Sequence, residues 1–158
     1  MKQNNYPNKV RRLEFEPENT IFEFYENGAL DQQITLPIGY QSITKKYFKN
    51  GIPTEAGAEY AINDIEDALM SNKSLINNDA LLVTNNQKLA EALIKNGLNQ
   101  EIYSRKTIED LFNNFARIIM GSPNSMMSTE MSGEEFALIL ILREILHHLD
   151  FDSVKVTA

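Results

Sequence analysis

The chain has 158 residues but no cysteine, no tryptophan and only two histidines. Without cysteine there is no disulfide framework, no thiolate nucleophile and no cysteine-ligated zinc site. Long apolar runs are also missing, since no segment reaches the roughly 20 residues that span a bilayer. Residues 1–12 are polar and lack an apolar signal region. These absences predict a cytoplasmic protein without a membrane partner.

The chain has fewer basic than acidic residues. Fifteen lysines and arginines face twenty-two acidic residues, which leaves a net charge of −7. A field of that sign repels a phosphate backbone, so the sequence predicts no nucleic-acid partner. The content of 42% apolar and 23% charged residues is typical of one soluble domain. A chain of this length can bury a core without help from metals or crosslinks.

The first quarter of the chain has a β-strand pattern. Residues 1–9 are polar and are predicted to form a flexible arm. Apolar and polar residues then alternate, with breaks at 17–19 and at the turn sequence 26–28. The predicted strands are residues 10–15, 21–25 and 32–36. Three short strands joined by turns predict a β-meander.

The rest of the chain alternates helical and strand patterns. Helices are predicted at about 43–48, 54–70, 86–96, 107–119 and 132–148, and strands at 80–84 and 154–157. Thr54, Thr107, Ser132 and either Asn85 or Asn86 are the expected helix caps, and Ser132 with Glu135 has the spacing of a capping box. Gly97 is the expected helix end, and 121–131 is a loop.

Together these elements predict a single α/β domain with some α+β character over residues 10–158. Its mixed sheet would have five strands, a three-strand meander followed by α/β crossovers. Residues 136–142 are apolar on every side of their helix, which predicts burial between two layers. If one side were uncovered, it would form an interface, with a second copy of the chain as a possible occupant.

A family resemblance accompanies this order of elements. Residues 35–48, TLPIGYQSITKKYF, resemble the SLPLG-x-x-x-LTERF segment of the exopolyphosphatase/guanosine-pentaphosphate phosphatase (Ppx/GppA) family. Residues 107–111 resemble its LTxEDL helix start, and 132–157 resemble the helix and strand that end in VTVSD. The resemblance is collinear over 10–158. It implies the second of the family's two lobes, a ribonuclease-H-like domain of the actin-like ATPase type.

The departures from the family lie in its phosphate loops. Where the family has D-x-G-G-G-S-T-E, residues 14–21 read EFEPENTI, without glycine and with a proline that lacks an amide donor. Where the family has G-T-S-G-T, residues 83–87 read VTNNQ. The resemblance therefore implies a catalytically degenerate lobe with a binding or regulatory role. One alternative is a phosphohydrolase half-site that uses Mg²⁺ and is completed by a partner lobe or by homodimerisation. Another is an unrelated small α+β protein.

Three glutamates near the first altered loop are candidate functional residues. Glu14, Glu16 and Glu18 alternate, so on a strand their carboxylates could converge on Mg²⁺ or Ca²⁺. The other interpretation is an edge strand whose charges oppose edge pairing. If the chain is an enzyme, Glu14 and Glu16 are the candidate catalytic residues.

Thr84, Asn85 and Asn86 lie where a strand ends and a helix begins. Free backbone amides at such a position can bind an anion, and these three residues are the candidate anion site. The other interpretation is that one of the asparagines simply caps the helix.

The two histidines and the methionines carry less information. His147 and His148 are adjacent, so their side chains point about 100° apart on a helix, and no metal site is predicted there. Four methionines surround the 121–131 loop: Met120, Met126, Met127 and Met131. They form either an adaptable binding surface or a loop over the core. The predicted partner is a protein or a second copy of the chain. No cofactor is expected, except Mg²⁺ if the chain is an enzyme.

Overall fold

A computed structural model describes residues 8–77, 79–119 and 131–158. The strands are β1 (Lys9–Phe15), β2 (Thr20–Glu26), β3 (Ala29–Leu36), β4 (Leu81–Thr84), β5 (Ile102–Ser104) and β6 (Ser153–Val156). The helices are α1 (Tyr40–Tyr47), α2 (Glu55–Met70), α3 (Gln87–Lys95), α4 (Arg105–Ile119) and α5 (Gly133–His148), with short 3-10 turns at Lys49–Gly51 and Lys73–Leu75. Within these described ranges, no helix is long and apolar enough to cross a membrane.

All six strands form one mixed sheet in the order β3-β2-β1-β4-β6-β5. The first three strands form the predicted antiparallel meander. β4 then pairs parallel with β1, and β6 pairs parallel with β4. The predicted α/β fold is therefore confirmed, with the opening strands and both later strands in a single sheet.

The predicted number of five strands is wrong, because β5 adds a sixth at the edge beside β6. β5 has only three residues, which is too few to produce an alternating pattern. The third strand also begins earlier than residue 32. Asn27 and Gly28 both have positive φ, at 51° and 81°, so they form a two-residue turn and pairing resumes at Ala29.

The helices of the described residues pack on one face of the sheet, with α5 at the centre of the layer. Residues 136–142 of α5 are buried throughout, as the apolar pattern predicts. Phe136 contacts the rings of Phe48, Phe112 and Phe115, with centroids 5.6, 5.9 and 6.4 Å away. Helices α1 to α4 all contact α5. The apolar α5 is therefore covered on all sides and does not form the interface considered above.

Side chains cap the amino ends of most of these helices. Thr54 and Ser132 accept hydrogen bonds from Gly57 N and Glu135 N, as predicted. The carboxylate of Glu135 binds Lys95 Nζ, at 3.0 and 3.3 Å, so the capping box is realised only on the serine side.

Thr107 was the expected start of the fourth helix, and that prediction is wrong. The helix begins at Arg105, and Ser104 Oγ accepts the hydrogen bond from Thr107 N at 3.1 Å. β5 runs directly into α4, so the capping serine belongs to a strand that the pattern did not reveal.

The other face of the sheet carries no helix from the described residues. We call this surface the open face. The four central strands contribute the following side chains to it: Val10, Arg12 and Glu14 on β1, Ile21, Glu23 and Tyr25 on β2, Leu81 and Val83 on β4, and Lys155 on β6. These side chains are partly or largely exposed, whereas their neighbours on the helical face are buried.

Candidate functional site

The candidate site lies at the edge of the sheet where the carboxyl ends of β1 and β4 meet. Because these strands pair parallel, the turns that follow them lie side by side. Ligands of open α/β sheets bind at such an edge. The first turn is residues 16–19 and the second is residues 85–86. The amino end of α1 adjoins the first turn.

The first turn is closed by main-chain contacts. Glu16 N donates to Asn19 O at 2.8 Å. The carbonyl oxygen of Pro17 accepts two hydrogen bonds from the first turn of α1, from Gln41 N at 2.9 Å and Ser42 N at 3.1 Å. Amides at a helix start are the groups that hold an anion. Here a carbonyl of the same chain already occupies them.

Gly39 makes this contact possible. A Cβ atom at position 39 would lie 2.2 Å from the carbonyl oxygen of Pro17 and 2.5 Å from the main chain of Glu18. Its φ of −129° suits any residue, so close approach and not conformation requires glycine here. The glycine in the resemblance segment therefore serves the packing of the first turn against α1.

The second turn is held by side chains. Thr84 is buried, and its hydroxyl donates to Leu13 O at 2.9 Å and accepts from Asn86 N at 3.3 Å. Asn86 Oδ1 accepts from Leu89 N at 2.8 Å, while its Nδ2 donates to Phe15 O at 3.2 Å. Asn86, and not Asn85, is thus the cap of α3.

The three predicted anion-site residues therefore share one turn, but their side chains bind protein groups. Asn85 Oδ1 accepts from Arg12 Nη2 at 3.1 Å. The remaining two, Thr84 and Asn86, tie the second turn to β1. Anion binding by Thr84, Asn85 and Asn86 stays a prediction.

Glu14, Glu16 and Glu18 do not share a strand face. β1 ends at Phe15, so Glu14 lies on the open face while the other two lie in the first turn. Glu14 pairs with Arg12 at 3.4 Å, and Glu18 lies 3.9 Å from Lys45. Across residues 8–77, 79–119 and 131–158, no three acidic, histidine or cysteine side chains come together as a possible metal site. The edge-strand interpretation is also wrong, because β1 lies between β2 and β4.

Arg12 is a site residue that the sequence analysis missed. Its guanidinium binds Glu14, Glu23 and Asn85, so it links β1, β2 and the second turn. The hydrogen bond to Glu23 is the main reason that the pKa of Arg12 is raised. Arg12 and Glu14 are two residues apart on a strand, a spacing that places them on one face and could have indicated the pair.

Tyr40 and Lys88 also border the site. The Lys88 ammonium lies 5.4 Å from the centre of the Tyr40 ring. Burial raises the pKa of Tyr40, and the negative charges of Glu134 and Glu16 raise it further. Carboxylates near the edge make it a poor environment for phosphate.

The histidines lie away from the site, at the end of α5. Their ring centroids are 5.0 Å apart with 78° between the planes. His148 Nε2 lies 2.8 Å from the carboxylate of Glu144, which is buried and also binds Arg143. Of the four methionines, only Met131 falls within the described residues, and it packs against the core.

Solved structures of the Ppx/GppA type have this fold. The Aquifex aeolicus PPX-GPPA enzyme matches with a TM-score of 0.75 and 17% identity over 98% of this chain and 55% of its own. An exopolyphosphatase-like protein matches with a TM-score of 0.72 and 10% identity, covering 99% of this chain and 58% of that one. An exopolyphosphatase from Cytophaga hutchinsonii matches with a TM-score of 0.68 and 14% identity, covering 96% of this chain and 54% of its own.

The chain thus has the fold of one lobe of the Ppx/GppA structures and spans about half of their length. This confirms the resemblance at the level of the fold. No protein-family model and no curated protein matches the sequence. A sheet order foreign to this fold would have supported the alternative of an unrelated α+β protein, and the six strands of the described residues do not show one.

Proposed function

We propose that this chain is an exopolyphosphatase-related lobe that does not hydrolyse phosphate by itself and acts in the cytoplasm as a protein-binding or regulatory module. The observation that carries the proposal is the Pro17 carbonyl, which accepts hydrogen bonds from Gln41 N and Ser42 N. A group that already fills the amino end of α1 leaves those amides unable to stabilise phosphoryl charge.

The chemistry of phosphoryl transfer supports this proposal. Catalysis of that reaction depends on positioned donors and metal ions that stabilise charge on the phosphoryl oxygens. The first turn offers a proline without an amide hydrogen. Glu16 of this turn and Glu134 of α5 add negative charge near Tyr40. Glu14, the remaining acidic candidate of β1, is paired with Arg12.

A phosphate-release assay tests the proposal. The purified chain is incubated with polyphosphate and Mg²⁺, and an active exopolyphosphatase serves as the positive control. We expect no release above buffer from the wild type, and the same result from Glu14→Ala. Release by the wild type that disappears in Glu14→Ala but persists in Glu59→Ala, an exposed change on α2, would contradict the proposal.

A second candidate function is a phosphohydrolase half-site completed by a partner lobe or by homodimerisation. It is favoured by the coverage of the solved structures, since this chain accounts for only about half of each. In that case Glu14, Glu16, Thr84 and Asn85 would be the residues to mutate, with Mg²⁺ as a cofactor. The same assay is then run with a separately produced first-lobe protein. Release that needs both chains and Glu14 would favour the half-site.

A further inference from the structure

Three asparagines of this chain are each followed by glycine: Asn27, Asn50 and Asn96. In such a pair the main-chain nitrogen of the glycine can attack the side-chain amide carbon of the asparagine, because glycine has no side chain to obstruct the approach. Ring closure also requires the main chain between the two residues to rotate. The three pairs have the same chemistry, so the contacts that hold each pair decide which of them can react.

The pair at Asn50 is held by its main chain. Gly51 N, which would be the attacking nitrogen, donates to Phe48 O at 2.9 Å. The Gly51 carbonyl packs against the start of α5, so closely that a Cβ atom at Gly133 would lie 2.1 Å from its oxygen. Both contacts oppose rotation of the main chain after Asn50, so the fold protects this pair.

The pair at Asn96 is held by the last turn of α3. Asn96 Nδ2, which would leave as ammonia, donates to Ala92 O at 2.7 Å. Gly97 N donates to Ile94 O at 3.0 Å. The attacking and the leaving nitrogen are therefore both hydrogen-bonded to helix carbonyls, and reaction requires the end of α3 to open.

The pair at Asn27 lies at the tip of the β2–β3 hairpin, and both of its residues are exposed. Within the part of the chain that the structure describes, Gly28 N donates to no acceptor and the Asn27 side chain makes no hydrogen bond. β3 is an edge strand whose first residues are exposed. Opening the tip therefore disrupts only the end of one strand pair, which is a low-cost local motion.

We propose that Asn27 is a site of deamidation and that the fold protects Asn50 and Asn96. Gly28 N gives up its proton and attacks Asn27 Cγ, which forms a carbon–nitrogen bond and closes a five-membered succinimide ring. The bond from Cγ to Nδ2 breaks, and that nitrogen takes a proton and leaves as ammonia. Water then opens the ring at either carbonyl. The net reaction consumes one water, releases one ammonia and leaves aspartate or isoaspartate at this position.

The two products should affect the hairpin differently. Aspartate followed by glycine suits the same two-residue turn, so this product should keep Glu26 paired with Ala29. Isoaspartate lengthens the main chain by one carbon atom, which a two-residue turn in this register does not accommodate. The aspartate form should therefore keep the wild-type hairpin, whereas the isoaspartate form should open its tip.

Peptide mapping by mass spectrometry tests the proposal on the full chain after incubation at mildly alkaline pH, which favours loss of the amide proton. Opening one hydrogen bond slows a reaction by about fivefold, and each protected pair has two restraints. Asn27 should therefore be converted at least about tenfold faster than Asn50 or Asn96. An isoaspartyl methyltransferase assay should label the Asn27 peptide, and Asn27→Asp should remove that label and unfold at the wild-type urea concentration.

The matched control is the same incubation in denaturant, where only the dipeptides remain and all three asparagines should react at similar rates. Conversion of Asn50 or Asn96 as fast as Asn27 in the folded chain would overturn the proposal. A folded chain in which Asn27 stays intact would overturn it as well. The hairpin tip lies at the opposite end of β1 from the candidate site, so polyphosphate hydrolysis would contradict only the proposed function.

Discussion

The two turns at the edge of the sheet are stabilised in different ways. The first turn, residues 16–19, is held by main-chain groups, with the Pro17 carbonyl on the amides of α1 and Gly39 packed against it. The second turn, residues 85–86, is held by the side chains of Thr84 and Asn86. Side-chain substitutions can therefore change the second turn directly. The first turn responds mainly to a change at the glycine against which it packs.

Gly39→Ala should produce the largest effect, because its Cβ would overlap the Pro17 carbonyl at 2.2 Å. The turn and the start of α1 must separate, at a cost of about 3 kcal/mol in the free energy of unfolding. Urea denaturation measures this loss.

Gly97→Ala is the control for Gly39→Ala. Gly97 has a φ of +79° and open space around it, so its loss should cost only about 1 kcal/mol, from conformation alone. Equal losses at the two positions would mean that the first turn is not held by close packing against Gly39.

Thr84→Val should cause the next largest loss in the free energy of unfolding. The change keeps the shape of a buried side chain but leaves Leu13 O without the hydroxyl donor. An unsatisfied buried carbonyl costs about 2 kcal/mol. Thr84→Ser, which keeps the hydroxyl, should lose less stability in the same denaturation experiment. If serine proved more damaging than valine, packing and not hydrogen bonding would hold the second turn.

Asn86→Ala should cost about 1 kcal/mol, the usual value for a lost helix cap. Asn86→Asp keeps the acceptor for Leu89 N but loses the donor to Phe15 O, so its stability should lie between wild type and alanine. Thermal unfolding at neutral pH measures the series. Asn85→Ala is the control. If Asn86→Asp were no more stable than Asn86→Ala, the hydrogen bond to Phe15 O would contribute more to stability than the helix cap.

The smallest expected effect on stability lies at the carboxyl end of α1, where Tyr47 is the last residue. Tyr47 Oη donates to Asp64 at 2.7 Å, and this bond is the main reason that the pKa of Asp64 is lowered from its ordinary 3.8. A lowered carboxyl pKa stabilises the fold above the unfolded value and loses that effect as pH falls below it. The side chain is one-third exposed, so the contribution should stay below about 1 kcal/mol.

Comparing wild type with Asp64→Asn across pH measures that contribution. The difference in unfolding free energy should be present at pH 7 and should shrink as pH falls below about 3.8. Tyr47→Phe should shift this loss toward higher pH. A difference independent of pH would show that the ionised form of Asp64 plays no part.

The sequence predicted most of the fold because its signals are local. Alternation identified the meander, the capping sequence at Ser132 identified the start of α5, and the apolar residues on every side of 136–142 predicted its burial. The features that it missed depend on distant contacts. β5 is too short to show a pattern, and its capping Ser104 was missed with it. Nothing near Pro17 indicates that its carbonyl binds the amides of α1, since that contact exists only after the meander has folded.

The most direct test of the central claim follows the main-chain amides of Gln41 and Ser42 by NMR while tripolyphosphate and Mg²⁺ are added to the labelled protein. Because the Pro17 carbonyl already binds both amides, the account predicts resonances that do not move with ligand concentration. Saturable shifts centred on those two amides and on the first turn would show that the edge binds phosphate and would contradict it.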